Sequence, residues 1–137
     1  MWVAVVFFSS SDSSALGSYA KEIAKGIESQ GHRVEIIDAV RDQVAKLSMY
    51  QYIVIGTEQT SLFGKIDGKI AARLPSMGAL QGKKAFAFVS KKLFGEQRVL
   101  LRLMKILEKE GLLIRFSEVI LSKAHAYEVG KRLRIDN

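Results

Sequence analysis

The stretch from Trp2 to Gln30 constrains the fold more than any other part of the chain. Val3 to Phe8 (VAVVFF) is a continuous apolar run of strand length, rich in Val and Phe. A run without polar alternation suits a strand buried on both faces, the situation of a parallel sheet. From Ala15 the pattern changes. Leu16, Tyr19 with Ala20, Ile23 and Ile27 recur at helical spacing and make one stripe that can lie on that sheet. Between strand and helix stand Ser9, Ser10, Ser11, Asp12, Ser13 and Ser14, with nothing apolar among them. A short hydroxyl-rich turn from a buried strand into a helix is where an α/β protein holds a phosphate. The first N–H groups of the helix lack intrahelical acceptors, the helix dipole favours an anion there, and serine hydroxyls add donors. The simpler reading is that Asp12 or Ser13 is an N-cap. One cap needs one such residue, and here six stand in a row.

The rest of the chain repeats the alternation. Strands are expected at Val34 to Ile37, Tyr52 to Gly56 (YIVIG), Ala85 to Val89 (AFAFV) and within Leu112 to Leu121. The first helix is expected to stop at Gly31, a residue suited to the left-handed position after a helix. Val40, Val44 and Leu47 predict a short second helix over Asp38 to Ser48. Lys69 to Leu74 reads as a helix ending before Pro75. Arg98 to Glu110 is the clearest helix, with Leu100, Leu103, Met104 and Leu107 on one side and Gly111 at its end. Ala124 to Leu133 is a weaker last one. Thr57 to Asp67 and Ser90 to Gly95 read as loops, and Ser76 to Lys84 as a connection. Strand followed by helix throughout predicts a three-layer α/β/α doubly wound sandwich, with a parallel sheet and right-handed crossovers. Ligands of such a sheet bind at the carboxyl ends of the strands. The serine turn and the loops beginning at Thr57 and Ser90 are expected to converge there.

Composition narrows the chemistry. The chain has 137 residues, of which 48% are hydrophobic, enough for the core of one domain spanning 1–137. No apolar run approaches the roughly 20 residues of a membrane helix, and the N-terminus lacks a basic n-region and cleavage site. A soluble, cytoplasmic protein with no membrane association is expected. With no cysteine, disulfides, thiolate metal sites and cysteine nucleophiles are excluded. His32 and His125, the only histidines, are too few for an ordinary histidine-based metal site. The net charge of +7 raises nucleic acid or an acidic partner as possibilities, yet the basic residues are spread out with no aromatic–basic motif, so nucleic acid is not expected. G-x-G-x-x-G after the first strand and G-x-x-x-x-G-K-[ST] are both absent, which disfavours a classical dinucleotide fold and a nucleoside-triphosphate loop.

These motifs together resemble the flavodoxin-like family. Ser9 to Ser14 matches the family's phosphate turn, T/S-x-T-G-x-T, with hydroxyls at all three T/S positions and Asp12 at the glycine position. YQYIVIGTEQTSLFGKIDGKI looks like its third strand and following loop, GALQGKKAFAFVS like its fourth strand, and LLRLMKILEKEGLLI like its fourth helix and the turn into strand five. The resemblance implies a five-stranded parallel sheet of order 2-1-3-4-5 and noncovalently bound FMN. The phosphate would sit on Ser9, Ser11, Ser13 and Ser14 with the backbone amides of the turn, Ser10 and Asp12 included. Thr57, Gln59 and Thr60 would supply polar contacts to the ring or ribityl chain. Phe63, followed by Gly64, and Phe94, followed by Gly95, are the aromatics of the second and third loops and candidates to stack on the ring. Ser90, Lys91 and Lys92 begin the third loop. The two lysines can offset the phosphate or an anionic reduced ring, or be ordinary solvated lysines. Glu58 reads as a solvated loop residue rather than a catalytic acid. Asp12 is best accommodated as a helix cap pointing away from the site, since an aspartate otherwise brings negative charge toward a dianion.

The function implied is that of an FMN protein carrying electrons between partners, because no residue stands out as a substrate acid or base. The alternatives are an FMN-dependent oxidoreductase (a quinone or NAD(P)H reductase, or a protoporphyrinogen-oxidase-like enzyme) and a flavodoxin-like binding module that has lost flavin. Arg98, Arg102, Lys105 and Lys109 fall at i, i+4, i+7 and i+11, a basic stripe opposite the apolar one. It suits docking of an acidic redox partner, or a plain solvated face.

Overall fold

A computed structural model describes residues 1–10, 14–42, 46–59, 68–91 and 95–135. The elements in chain order are β1 (Trp2–Phe8), α1 (Ala15–Glu28), β2 (Arg33–Asp38), β3 (Tyr52–Thr57), α2 (Gly68–Arg73) running into a 3₁₀ turn (Leu74–Met77), β4 (Lys84–Ser90), α3 (Glu96–Lys109), β5 (Leu113–Ile120) and α4 (Lys123–Arg132). The strands form one five-stranded sheet of order β2-β1-β3-β4-β5. Every neighbouring pair is parallel.

The burial pattern explains the apolar runs. β1, β3 and β4 are central, and from Val3 to Phe8 and Tyr52 to Thr57 every residue is buried. Successive side chains alternate between faces. Val3, Val5 and Phe7 meet Leu16, Ile23 and Ile27 of α1 and Ala126 and Val129 of α4. Ala4, Val6 and Phe8 meet Ile70 of α2 and Leu103 and Leu107 of α3. Both faces are apolar, so the central strands carry no polar alternation. The edge strands β2 and β5 are half-exposed, and their sequences, RVEIID and LIRFSEVI, mix charge with apolar residues accordingly.

Two close approaches set how tightly the layers pack. A Cβ on Gly130 of α4 would stand 2.2 Å from the Ile23 carbonyl oxygen, and one on Gly26 of α1 would stand 2.3 Å from that of Tyr127. The two helix backbones therefore touch, and neither position admits a larger side chain without moving a helix. Gln30 closes the same junction by donating from Nε2 to the Gly130 and Leu133 carbonyls at 2.8 and 2.9 Å.

The expected second helix is not found among the described residues. After β2 the Asp38 carboxylate accepts from the N–H groups of Val40 and Arg41 at 3.0 and 3.1 Å, and its carbonyl accepts from the Asp42 N–H. This local turn offers the backbone an alternative to a helix. Arg73 secures it by donating to the carbonyls of Ala39 and Val40. Residues 43–45, Val44 among them, lie outside the described residues; Leu47 is buried all the same. Helix α2 ends at Arg73, ahead of Pro75, as expected; Pro75 nonetheless stays on a helical path. It sits in the first turn of the 3₁₀ segment, where its missing N–H costs nothing. Helix α1 ends at Glu28, before Gly31, which takes φ +98° two residues past the Ser29 cap. No helix among the described residues is long and apolar enough to cross a membrane.

Tyr52 opens β3 on the α1/α4 side, 1% exposed, and its buried hydroxyl has no hydrogen-bond partner among the described residues. Burial pushes the phenol up to about 12, with Arg115 acting in the opposite sense. The folded pKa lies above the unfolded value of 10.0, so the folded state holds the proton more tightly. The stability linked to that proton is present below about pH 10 and is lost as pH rises toward about 12. Tyr52→Phe, which cannot titrate, should gain on the parent chain by about 2 to 3 kcal/mol across this window. Urea unfolding at stepped pH checks the difference.

Candidate functional site

Phe8, Thr57 and Val89, near the ends of β1, β3 and β4, lie side by side in register. The segments that follow them start from one edge of the sheet. Thr57 is fully buried and its hydroxyl donates to the Phe8 carbonyl at 3.0 Å, tying β3 to β1 at the point where both strands end. Its hydroxyl proton is therefore committed to the sheet.

Ser9 and Ser10 leave β1 on opposite terms. Ser9 is buried, and its Oγ accepts from Arg41 Nη1 at 2.8 Å. Arg41 also donates to the Asp38 carboxylate at 3.2 Å, which orients the guanidinium across the start of the serine turn. Ser10 donates from both its N–H and its Oγ to Glu58 Oε2, at 2.6 and 2.9 Å. Glu58 is 1% exposed, so the expectation of a solvated residue is corrected. The physical reason is that a buried carboxylate requires strong donors, and Ser10 lends it two. An internal anion thus already occupies one N–H of the serine turn.

Ser14 is the N-cap residue of α1, in place of the Asp12 or Ser13 expected. Its side chain makes no capping bond, and its Oγ is buried with no partner among the described residues. Gln59, just past β3, has both amide atoms, Nε2 and Oε1, buried and without partners among the described residues. Gly95 packs against that amide: a Cβ there would come 3.1 Å from Gln59 Nε2, and Gly95 caps α3 at φ +88°. Ser90 is buried at the end of β4, and the Lys91 N–H donates to the Ile120 carbonyl at 2.9 Å while its side chain is exposed.

Of the expected site residues, Ser9, Ser10, Ser14, Thr57, Glu58, Gln59, Ser90, Lys91 and Gly95 are described, and they gather at this edge of the sheet. Ser11, Asp12, Ser13, Thr60, Phe63, Gly64, Lys92 and Phe94 lie outside the described residues. Arg41 was missed by sequence reasoning, because its segment read as a helix. The available signal was the Asp38–Arg41 spacing directly after a strand, which favours an Asx-type turn.

Buried polar groups in native proteins are nearly always paired, which makes the orphaned groups at this edge of the sheet the candidate contacts for a ligand. Ser14 Oγ, at a helix N-terminus, suits an anionic oxygen. The Gln59 amide offers a donor and an acceptor together, which suits the edge of a polar ring. Among the described residues no cluster of His, Cys, Asp or Glu could hold a metal ion. The chemistry available is recognition and orientation.

No family model matches the sequence, and neither does any curated protein. Solved structures match in fold. A flavodoxin from the domain Archaea is 19% identical, with 96% of this chain and 94% of the other covered and a TM-score of 0.74. The two-electron reduced flavodoxin of Megasphaera elsdenii is 17% identical, covering 93% and 96%, also at 0.74. The flavodoxin of Streptococcus pneumoniae TIGR4 is 14% identical, covering 96% and 97%, at 0.69. Each alignment spans nearly all of both chains, so the likeness is of the entire sheet and its helices.

An unpaired buried amide destabilises the ligand-free protein. Gln59→Met keeps the volume and removes both orphaned atoms, so it should stabilise the ligand-free protein by about 1 to 3 kcal/mol. The urea midpoint of the two proteins, compared without added ligand, checks this; an unchanged or lower midpoint means that the amide is satisfied in solution.

Proposed function

We propose that this chain, which has the flavodoxin-like fold, binds FMN noncovalently and carries electrons between partner proteins. The observation that carries the reading is the pair of orphaned groups, Ser14 Oγ and the Gln59 amide, at the strand ends where the serine turn and the following loops start. The names of the structural neighbours support it at the level of fold. When bound, FMN supplies the one- and two-electron chemistry, and the protein binds and tunes it.

In this reading Ser9, Ser14 and the backbone of the serine turn, with Ser11 and Ser13, hold the phosphate, and Arg41 contributes positive charge through Ser9. Gln59, with Thr60, takes the ring edge or ribityl chain, and Phe63 and Phe94 flank the ring. Glu58 works against the phosphate: its carboxylate keeps the Ser10 N–H and hydroxyl for itself and adds a negative charge beside a dianion. That observation also favours the second reading, a binding module of this fold without flavin.

Titration of the purified protein with FMN, followed by quenching of flavin fluorescence with riboflavin as control, separates the two. FMN is expected to bind tightly and riboflavin weakly. Glu58→Gln keeps an acceptor for Ser10 and removes the charge. Removing one charge from beside an anion is worth on the order of 1 kcal/mol in a partly solvated site, so FMN should bind about fivefold more tightly and riboflavin as before. Absence of binding by either flavin, at protein well above micromolar, rejects the FMN reading in favour of the module.

The basic stripe is proposed as the docking face for an acidic partner. Arg98, Arg102, Lys105 and Lys109 are exposed on α3, whose first turn adjoins Gly95 and the Gln59 amide. Charge there would steer an acidic partner to the flavin edge. Ferricyanide, a small anionic acceptor, should oxidise the reduced FMN-loaded protein at a rate that falls with ionic strength. Reversing Arg102 and Lys105 to Glu should flatten or invert that dependence; an unchanged slope rejects the stripe as a docking face.

A further inference from the structure

A crevice of about 490 Å³ opens between β5 and α4, away from the serine turn. Tyr52, which begins β3, lines it, whereas the candidate flavin site follows the last residue of the same strand. In a parallel sheet these are opposite ends. The volume falls within the roughly 300–1,000 Å³ typical of small-molecule sites.

An irregularity in β5 shapes the wall. Ile114 pairs with Ala85 and Phe116 with Phe86, which leaves Arg115 as an extra residue in the edge strand. Such a bulge re-aims side chains. Ile114 packs toward the α2/α3 core, so regular alternation would put Phe116 on that same face. With the extra residue, Phe116 instead meets the Phe86 ring at 5.2 Å on the α1/α4 side, and both Arg115 and Phe116 line the crevice. Leu133, at the end of α4, supplies apolar floor.

Two features of the crevice are unsatisfied by the protein itself. The first is the Tyr52 hydroxyl, buried in a residue 1% exposed, lining the crevice and without a partner among the described residues. The second is charge. Of the carboxylates in the wall, Glu128 is 3.5 Å from Arg132 and Glu118 is 3.9 Å from the His125 ring. Arg115 and Arg134 form no ion pair among the described residues. An exposed arginine alone would mean little. Two guanidinium groups around a buried, unpaired phenol donor beside an aromatic ring describe one kind of ligand.

We infer that this crevice is a second ligand site, for a small organic anion with an aromatic body: its acid group lies between Arg115 and Arg134, an oxygen accepts the Tyr52 hydroxyl proton, and its ring packs on Phe116 and Leu133. The acid is a carboxylate or a phosphate monoester, since guanidinium groups bind both by the same geometry. This inference does not rest on flavin binding.

The test is a titration of the intact chain, followed by two-dimensional NMR, with 2-naphthoate, 1-naphthyl phosphate and the neutral 2-naphthamide as probes. Either acid should shift the resonances of Tyr52, Phe116 and Leu133, and should bind at least tenfold more tightly than the amide. Whichever acid binds more tightly identifies the head group. Arg115→Gln, at an exposed position where folding is not at stake, should weaken the acid at least tenfold and leave the urea midpoint unchanged. Tyr52→Phe should weaken it about threefold to tenfold, the range of one neutral hydrogen bond. Equal binding of acid and amide, no shift at these residues up to millimolar probe, or an Arg115→Gln protein that binds like the parent would each overturn the inference. So would sedimentation showing a dimer that Arg115→Glu dissociates, because the face would then be an interface between copies.

Discussion

Desolvation of β1, β3 and β4 on both faces is the constraint on which the rest of the structure depends. A strand covered above and below can satisfy its backbone groups only through neighbouring strands, so each central strand needs a partner on either side. Parallel pairing then forces each connection to run back over a face of the sheet, and the helices cover its two faces as α1 with the terminal α4 on one and α2 with α3 on the other. Because β1 has both β2 and β3 as neighbours, the chain winds outward from it in two directions. Ser14 and Gln59, which follow β1 and β3, have side-chain polar atoms without partners among the described residues.

Those groups, unpaired among the described residues, cost stability. A core amide such as Gln59 with no partner costs free energy that a methionine would not, and nothing in the packing around Gly95 requires a polar side chain there. Glu58 shows the opposite arrangement one residue earlier, a buried carboxylate whose Oε2 accepts two hydrogen bonds from Ser10. Adjacent positions at one strand end therefore differ in kind. Glu58 ties the serine turn to the segment after β3, while the Gln59 amide has no partner among the described residues.

How much of this was legible in the sequence depends on how local the cause was. The runs VAVVFF, YIVIG and AFAFV announced buried strands because burial on both faces leaves no room for polar residues. The stripe of α1 and the side of α3 bearing Leu100, Leu103 and Leu107 were equally plain, since each helix has one covered face. Asp38 to Ser48 misled, because Val40 and Leu47 are apolar for reasons of tertiary packing while Asp38 turns the backbone. Glu58 misled for a related reason: a glutamate in a loop is ordinarily solvated, and only the return of the chain beside β1 brings Ser10 within reach. The Arg115 bulge left no trace in the sequence, as a pairing register belongs to two strands at once.

The sequence by itself determined the class of fold and the boundaries of most strands and helices to within a residue or two. These follow from periodicity, run length and the hydrogen-bonding needs of a helix start, all short-range properties. Tertiary structure alone decided that Arg41 reaches Ser9, that Glu58 is buried, that Ser14 and Gln59 lack partners among the described residues, and that Tyr52, Arg115 and Phe116 share a crevice. The physical reason is that satisfaction of a polar group depends on which distant segments approach it, and that approach is set by the packing of the whole sheet against its helices.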